Sequence, residues 1–314
     1  MRPRTVAGVL TEPQRARSGD RPQQLRKSYM YYALYTLNVL VMLVAPVLLG
    51  RWIARRRGVG WGLFGIGAAT FVASQVGHLP FNWLVLERFA LFGRRPEEPF
   101  SLIALSIFLG LSAGLFEEVA RFLTYRYWAT ETRSWGQGLM LGAGHGGVEA
   151  ILLGLVTAIN TIFLFAYRAD YVLIEIPADL QTVVDEQVAA AFTLPWYVTV
   201  LGGVERLFTL CFHLAASLLV MQGFVSGRRW RWLGAAVAWH ALADGLVVYV
   251  SQVWNVYAAE VLVGVAAVLS LWMVFRLKRP EPPEPELPPL AMVGAAGPLA
   301  IGLTEDQLER SKYG

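Results

Sequence analysis

Apolar residues run along this chain in long blocks broken by short charged loops, and the blocks fix the first reading. A helix needs about 20 apolar residues to cross a bilayer. Seven stretches qualify, approximately 30–50, 61–78, 100–123, 137–166, 195–225, 231–250 and 255–276. The pattern predicts an all-α fold, a polytopic membrane helix bundle. The fourth and fifth stretches exceed a straight crossing, so strong tilt or protrusion is expected. The break near Ser251 and Gln252 is faint, yet the run from Trp232 to Phe275 is too long for one span. Between spans four and five, Leu180, Val183, Val184, Val188 and Ala191 recur at helical spacing. That spacing predicts a short amphipathic helix over 177–192, on the outer surface.

Lys and Arg in short loops set the orientation of such a bundle. Arg51, Arg55, Arg56 and Arg57 follow span one, Arg228, Arg229 and Arg231 separate spans five and six, and Arg276 and Lys278 follow span seven. These groups share one side, which predicts an external N-terminus and a cytoplasmic C-terminus. Residues 1–29 oppose this assignment, because Arg2, Arg4, Arg15, Arg17, Arg21, Arg26 and Lys27 precede the first span. One reading makes 1–29 the product of a mis-assigned start, with Met30 heading the membrane domain. The segment does not have the form of a secretory signal, being too long and charged and lacking a small-residue cleavage site. The membrane domain is expected over 30–277. Residues 278–314, opening on Arg279-Pro280-Glu281-Pro282-Pro283, read as a Pro-rich, disordered cytoplasmic tail.

Composition agrees with the blocks. Hydrophobic residues make up 55% of the chain and charged residues 16%, with a mean hydropathy of +0.46, which excludes an ordinary soluble domain. The net charge of +4 comes from the loop arginines and no basic stripe with aromatic platforms is present, which excludes nucleic acid as a partner. Cys211 is the single cysteine, so no internal disulfide forms, and it reads as a small buried hydrophobe.

Four ionisable groups break the apolar blocks: Glu117-Glu118 with Arg121, His145 with Glu149, His213, and His240 with Asp244. A charge at the centre of a bilayer costs about 2.5–3.5 kcal/mol even on mild insertion scales. Arg121 lies three and four residues beyond the glutamates and reaches either one. An ion pair that merely anchors the helix does not require two adjacent glutamates. Adjacent helical positions diverge by about 100°, so one carboxylate can meet Arg121 while the other faces a cavity as a general base must. His145 and Glu149 share a helix face, as do His240 and Asp244, and a carboxylate one turn away can fix a histidine tautomer or join proton transfer. Either pair alone could be a satisfied buried hydrogen bond. Counted from the cytoplasmic ends at 1.5 Å per residue, all four groups fall roughly 9–18 Å deep. One shared site in the cytoplasmic half is the expectation. Glu205 and Arg206 read as a structural pair at a higher level, and His78 as an interfacial residue at the mouth of span two. The glycines of 138–147 mark a surface where helices approach closely.

In this order, Glu-Glu-x-x-Arg, His-x-x-x-Glu, a lone His and His-x-x-x-Asp, the chain resembles the YhfC family. That family belongs to a wider group of intramembrane proteases containing the CAAX-processing enzymes, bacteriocin-processing proteins and PrsW. The resemblance runs from about Met30 to Phe275. Its most specific part is Glu117-Glu118 together with Gly144-His145-Gly146-Gly147-Val148-Glu149. Two residues separate the glutamates from Arg121 where the wider group usually has three, and Asp244 stands where it usually has Asn. The resemblance implies a membrane peptidase whose water is activated by Glu117 or Glu118. It implies a site lined by His145, Glu149, His213, His240 and Asp244, with Arg121 as the structural charge partner.

Three histidines and carboxylates without thiolate suit Zn²⁺, with His145, His213 and His240 as ligands if a metal is bound. No His-Glu-x-x-His motif occurs, so a zinc mechanism and a metal-free glutamate mechanism both stay open. The expected partners are the bilayer of the cell membrane and a membrane-associated peptide or protein substrate. A proton-coupled transporter would also carry buried Glu, Asp and His, but usually with inverted repeats, which are not seen here. A bis-histidine haem protein would not need the glutamate pair. A catalytically inactive binding protein is the remaining alternative.

Overall fold

The structure is a computed structural model that describes residues 21–92, 99–169, 171 and 176–278. Helices and turns are the only regular structure among these residues: α1 (Arg21–Arg57), α2 (Gly62–Trp83), α3 (Pro99–Leu123), α4 (Trp135–Arg168), α5 (Ala178–Ala191), α6 (Leu201–Val225), α7 (Arg229–Val253) and α8 (Val256–Arg276). All except α5 are long and apolar enough to cross a membrane. The chain is therefore a multi-pass membrane protein, with seven such helices among the described residues, as the hydrophobic blocks predict. Most of segment 1–29 and all of the expected tail beyond Lys278 lie outside the described residues. The first helix nevertheless begins by Arg21, upstream of the expected start at 30.

Local sequence explains several boundaries. Ser134 and Gln137 form a capping box at the start of α4, each side chain satisfying a backbone N–H of the other's position. Asn255 caps α8 by accepting from the Ala258 N–H at 3.0 Å. α2 and α3 each run on into a one-turn π-helix, Leu84–Arg88 and Thr124–Trp128. The second turn is fastened from both sides. Thr124 shares a 2.8 Å hydroxyl contact with Thr70, and the buried Tyr125 hydroxyl lies 2.7 Å from Ser217. α5 is the amphipathic helix expected over 177–192.

α6 is the hub. In its most apolar stretch 72% of the residues are buried, against 17–28% for the other spans, whose Leu, Ile and Val side chains face outward to lipid. α4 packs against α1, α2 and α6, α6 also meets α1, α7 and α8, and α3 bridges α2 and α7. In hydrocarbon the hydrophobic effect gives helices no reason to associate, so close backbone approach and polar contacts must hold them. Glycine supplies the approach. A Cβ at Gly67 would collide with the Leu141 carbonyl oxygen, and one at Gly144 with the Phe64 carbonyl oxygen, so α2 and α4 cross backbone to backbone. Gly146 does the same for the site itself, since a Cβ there would stand 2.6 Å from the His213 ring.

The crossing predicts an asymmetry between two glycines of α2. Gly67→Ala is expected to lower stability in detergent by at least 1–3 kcal/mol, the usual cost of overpacking. Gly65→Ala, where nothing lies within 4 Å, should be neutral in the same thermal unfolding assay. Equal melting temperatures for the two variants would contradict the backbone contact.

Candidate active site

Four helices each bring ionisable side chains to one point: Glu117, Glu118 and Arg121 from α3, His145 and Glu149 from α4, Arg206 and His213 from α6, His240 and Asp244 from α7. The two glutamates diverge as their helical positions require. Glu118 turns inward and is fully buried, and one of its oxygens accepts from both Arg121 and His240 Nδ1, the latter at 2.7 Å. Glu117 turns to the cavity. Its Oε2 lies 3.0 Å from His145 Nε2, 3.8 Å from Arg121 Nη2 and 4.0 Å from His240 Nε2.

Arg121 is the junction between helices. Besides Glu118, its Nη2 donates to His213 Nδ1 at 2.6 Å. A guanidinium only donates, so His213 carries its hydrogen on Nε2 and gives it to Glu149 Oε2 at 2.6 Å. The expected pairing of His145 with Glu149 is therefore not made, although they share a helix face. Glu149 is drawn to α6, where Arg206 Nη1 donates to its Oε1 at 2.5 Å, and His145 turns to α3 instead. Arg206 also pairs with Glu205, so this pair is continuous with the cluster rather than separate from it. The second predicted pair is present, with Asp244 Oδ2 3.4 Å from His240 Nε2. Phe71 meets the His145 ring edge-on at 5.2 Å, and Phe212 meets that of His240 at 5.0 Å, which fixes both imidazole planes.

A chain of donors on α2 reaches the same centre. Asn82 Nδ2 donates to His78 Nε2 at 3.0 Å, His78 Nδ1 to Gln75 Oε1 at 3.2 Å, and Gln75 Nε2 to Glu117 Oε1 at 3.2 Å. Every donor points toward the carboxylate. The interfacial reading of His78 thus gives way to a place in this chain. Its signal was in the sequence as a polar stripe at 75, 78 and 82 along one face of an otherwise apolar helix.

The cluster opens into a cavity of about 200 Å³ lined by residues of α3, α4, α6, α7 and α8, with Phe208, Val247 and Val263 as its apolar part. Asp244 stands at the rim, its side chain 46% exposed.

Glu117, His145 and His213 each offer a ligand atom, all within 4.8 Å of one another. This differs from the expected three-histidine set, because His240 spends Nδ1 on Glu118 and directs Nε2 at Asp244. Two imidazoles and a carboxylate without thiolate suit a divalent ion such as Zn²⁺. Five carboxylates (Glu117, Glu118, Glu149, Glu205, Asp244) face two guanidinium groups, so with neutral imidazoles negative charge remains uncompensated. Glu118 Oε2, Arg121 Nε and His145 Nδ1 are buried without a hydrogen-bond partner, which also fits a further occupant. The residues fit a metal on one condition. His213 has both nitrogens engaged, so a metal there displaces either the Arg121 contact at Nδ1 or the Glu149 contact at Nε2.

Fold and site together define a polytopic membrane protein with a buried Glu/His centre of the kind that can hold a metal. A family model described as YhfC intramembrane metalloprotease matches residues 40–267. The chain belongs to the YhfC intramembrane metalloprotease family. The uncharacterized membrane protein YhfC of Bacillus subtilis (strain 168) is 29% identical over 248 residues, covering 77% of this chain and 95% of the relative. No solved structure matches.

The Arg121 junction generates a stability prediction. Removing one partner of a buried ion pair typically costs 3–5 kcal/mol. Arg121→Gln should show a loss of that order in thermal unfolding, and adding Glu118→Gln should recover much of it by removing the stranded charge. Absence of any recovery would contradict the pairing of these two residues.

Proposed function

We propose that the protein is an endopeptidase that hydrolyses peptide bonds of membrane-associated substrates, with Glu117 as the carboxylate that takes the proton of the attacking water. The observation that carries this reading is the division of Glu117. Oε1 is held by Gln75, whereas Oε2 is turned to the histidines at the wall of the cavity. A carboxylate so oriented needs no rearrangement to receive a proton from a water beside it. Glu118, spent on Arg121 and His240, is the scaffold partner of the pair.

A carbonyl oxygen entering the cavity would develop negative charge as water adds, and that charge needs donors already in position. The Arg206 guanidinium borders the cavity and can donate there, and His240 Nε2 does so when that imidazole is protonated. Asp244 next to His240 Nε2 holds the imidazole plane and can pass a proton toward the leaving amine. Phe208, Val247 and Val263 supply the apolar wall that accommodates substrate side chains and limits water. If a divalent ion is bound, Glu117, His145 and His213 would hold it, with Glu117 then a ligand rather than the base, and the ion would supply Lewis-acid polarisation of the carbonyl and acidify water. Gln75 is a positioning residue, with His78 and Asn82 orienting its amide.

The basic ends of α1, α7 and α8 support a cytoplasmic assignment for that end of the bundle, with an external N-terminus. His145 is ten residues into α4 from the same end, about 15 Å, so substrate would be cut in the cytoplasmic half.

In liposomes carrying the full chain, with fluorescein-labelled casein as probe, Glu117→Gln is expected to reduce cleavage by about 10²–10⁴-fold. Metal content read by elemental analysis should fall in His145→Ala if the ion is the working cofactor, and stay unchanged if Glu117 acts alone. Undiminished cleavage by Glu117→Gln would refute the role given to Glu117. Gln75→Ala should lower kcat about tenfold at unchanged KM, since one charge-assisted hydrogen bond to the base is lost. A change confined to KM would remove Gln75 from the positioning chain.

A further inference from the structure

Away from the polar centre, α1 and α8 face each other across a second cavity of about 350 Å³, floored by α4 and α6. Its lining is apolar throughout: Ala45, Leu49 and Trp52 on the α1 side, Val274 and Phe275 on the α8 side, and Leu210 among the floor residues. The cavity is large enough for a small ligand. Its lining on α1 runs from Ala45 to Ile53. Ala45 lies twelve residues from the basic end of that helix at Arg57, about 18 Å, close to the roughly 15 Å depth of one leaflet's hydrocarbon.

The end of this slot is charged in one sign. Trp135 forms part of the lining, and its ring carries the Arg57 guanidinium at 4.7 Å and the Lys278 ammonium at 5.6 Å. The Trp135 N–H is already given to the Val274 carbonyl at 2.8 Å, so the ring is fixed between α4 and α8. Neither cation has a carboxylate within ion-pair distance among the described residues, and Arg57 Nε is buried with no partner. Arg276 stands over Trp272 at the same end of α8. The two cations therefore lie beside the Trp135 end of the slot, without an anion from the described residues.

We infer that this slot binds one anionic phospholipid, an acyl chain lying between α1 and α8 and the phosphate seated between Arg57 and Lys278. Charge complementarity selects the occupant. A zwitterionic lipid would bring a positive group to a site that already holds two, and an apolar chain alone would leave both cations uncompensated. The bound lipid would bridge α1 and α8. It would also brace the α6 floor a short way from His213, since Leu210 and Leu214 of the slot flank that residue in sequence. The inference does not depend on the peptidase reading, because its test reads binding rather than cleavage.

Native mass spectrometry of the purified full chain, offered equimolar phosphatidylglycerol and phosphatidylcholine in detergent, tests it. Wild type should retain one phosphatidylglycerol in preference to phosphatidylcholine, and should be stabilised thermally by the former. At about fivefold for each juxtamembrane cation lost, Arg57→Ala with Lys278→Ala should weaken retention roughly 30-fold. The control pair Arg228→Ala with Arg231→Ala removes the same charge elsewhere at this end and should leave retention unchanged. Glycerol phosphate without acyl chains should neither bind nor stabilise. Cys211→Phe, which fills the slot from α6 while keeping every charge, should abolish retention. Equal retention of the two lipids by wild type would overturn the inference, as would equal loss in the control pair or stabilisation by glycerol phosphate alone.

Discussion

The guanidinium of Arg121 is the contact on which the rest of the arrangement depends. It is fully buried, in a helix that crosses a bilayer, where an isolated charge is expensive. Its position is tolerable only because Glu118 of the same helix and His213 of α6 accept from it. Those acceptors have consequences further out. Glu118 also takes His240, which draws in α7, and His213 passes its other hydrogen to Glu149, which draws in α4 and then Arg206. A single buried cation thereby sets the register of four helices. Sliding any one of them by a turn would strand a charge.

Packing and polarity work together in this bundle. Helices in hydrocarbon have little to gain from exchanging lipid contacts for one another, so the contacts that do form must be short or polar. At α2 and α4 they are short, through Gly67 and Gly144; at α3, α6 and α7 they are polar, through Arg121 and its acceptors. Gly146 joins the two modes, because the missing side chain is what lets the His213 ring lie against α4. The same cluster carries more carboxylate than cation. Such an imbalance is costly in a purely structural network and useful in a centre that must handle protons or hold an ion.

Much of this was legible in the sequence. Seven spans, the short amphipathic helix and the meeting of the four ionisable groups followed from block length and from depth counted along helices. Bilayer thickness and helix rise leave few alternatives for such blocks. What was not legible is which partner each group chooses. Position i,i+4 made Glu149 the natural partner of His145, but tertiary packing offered Glu149 an arginine and a histidine on α6, and charge-assisted bonds to those outweigh a same-helix contact. For the same reason the group whose ligand atoms lie close enough to hold an ion is Glu117, His145 and His213, while Glu118 and Asp244 engage His240. Gln75 was passed over because it is uncharged, and His78 was read as interfacial because, taken alone, it looks like an ordinary polar residue near a membrane surface.

The proposed mechanism rests on one step, in which Glu117 delivers water to a peptide bond inside the bilayer. The most direct measurement is cleavage in H₂¹⁸O by the full chain in liposomes, with the products read by mass spectrometry. The account predicts one ¹⁸O atom in each new carboxyl terminus made by wild type, and no labelled product from Glu117→Gln under the same conditions. Labelled termini appearing equally with both proteins would contradict it.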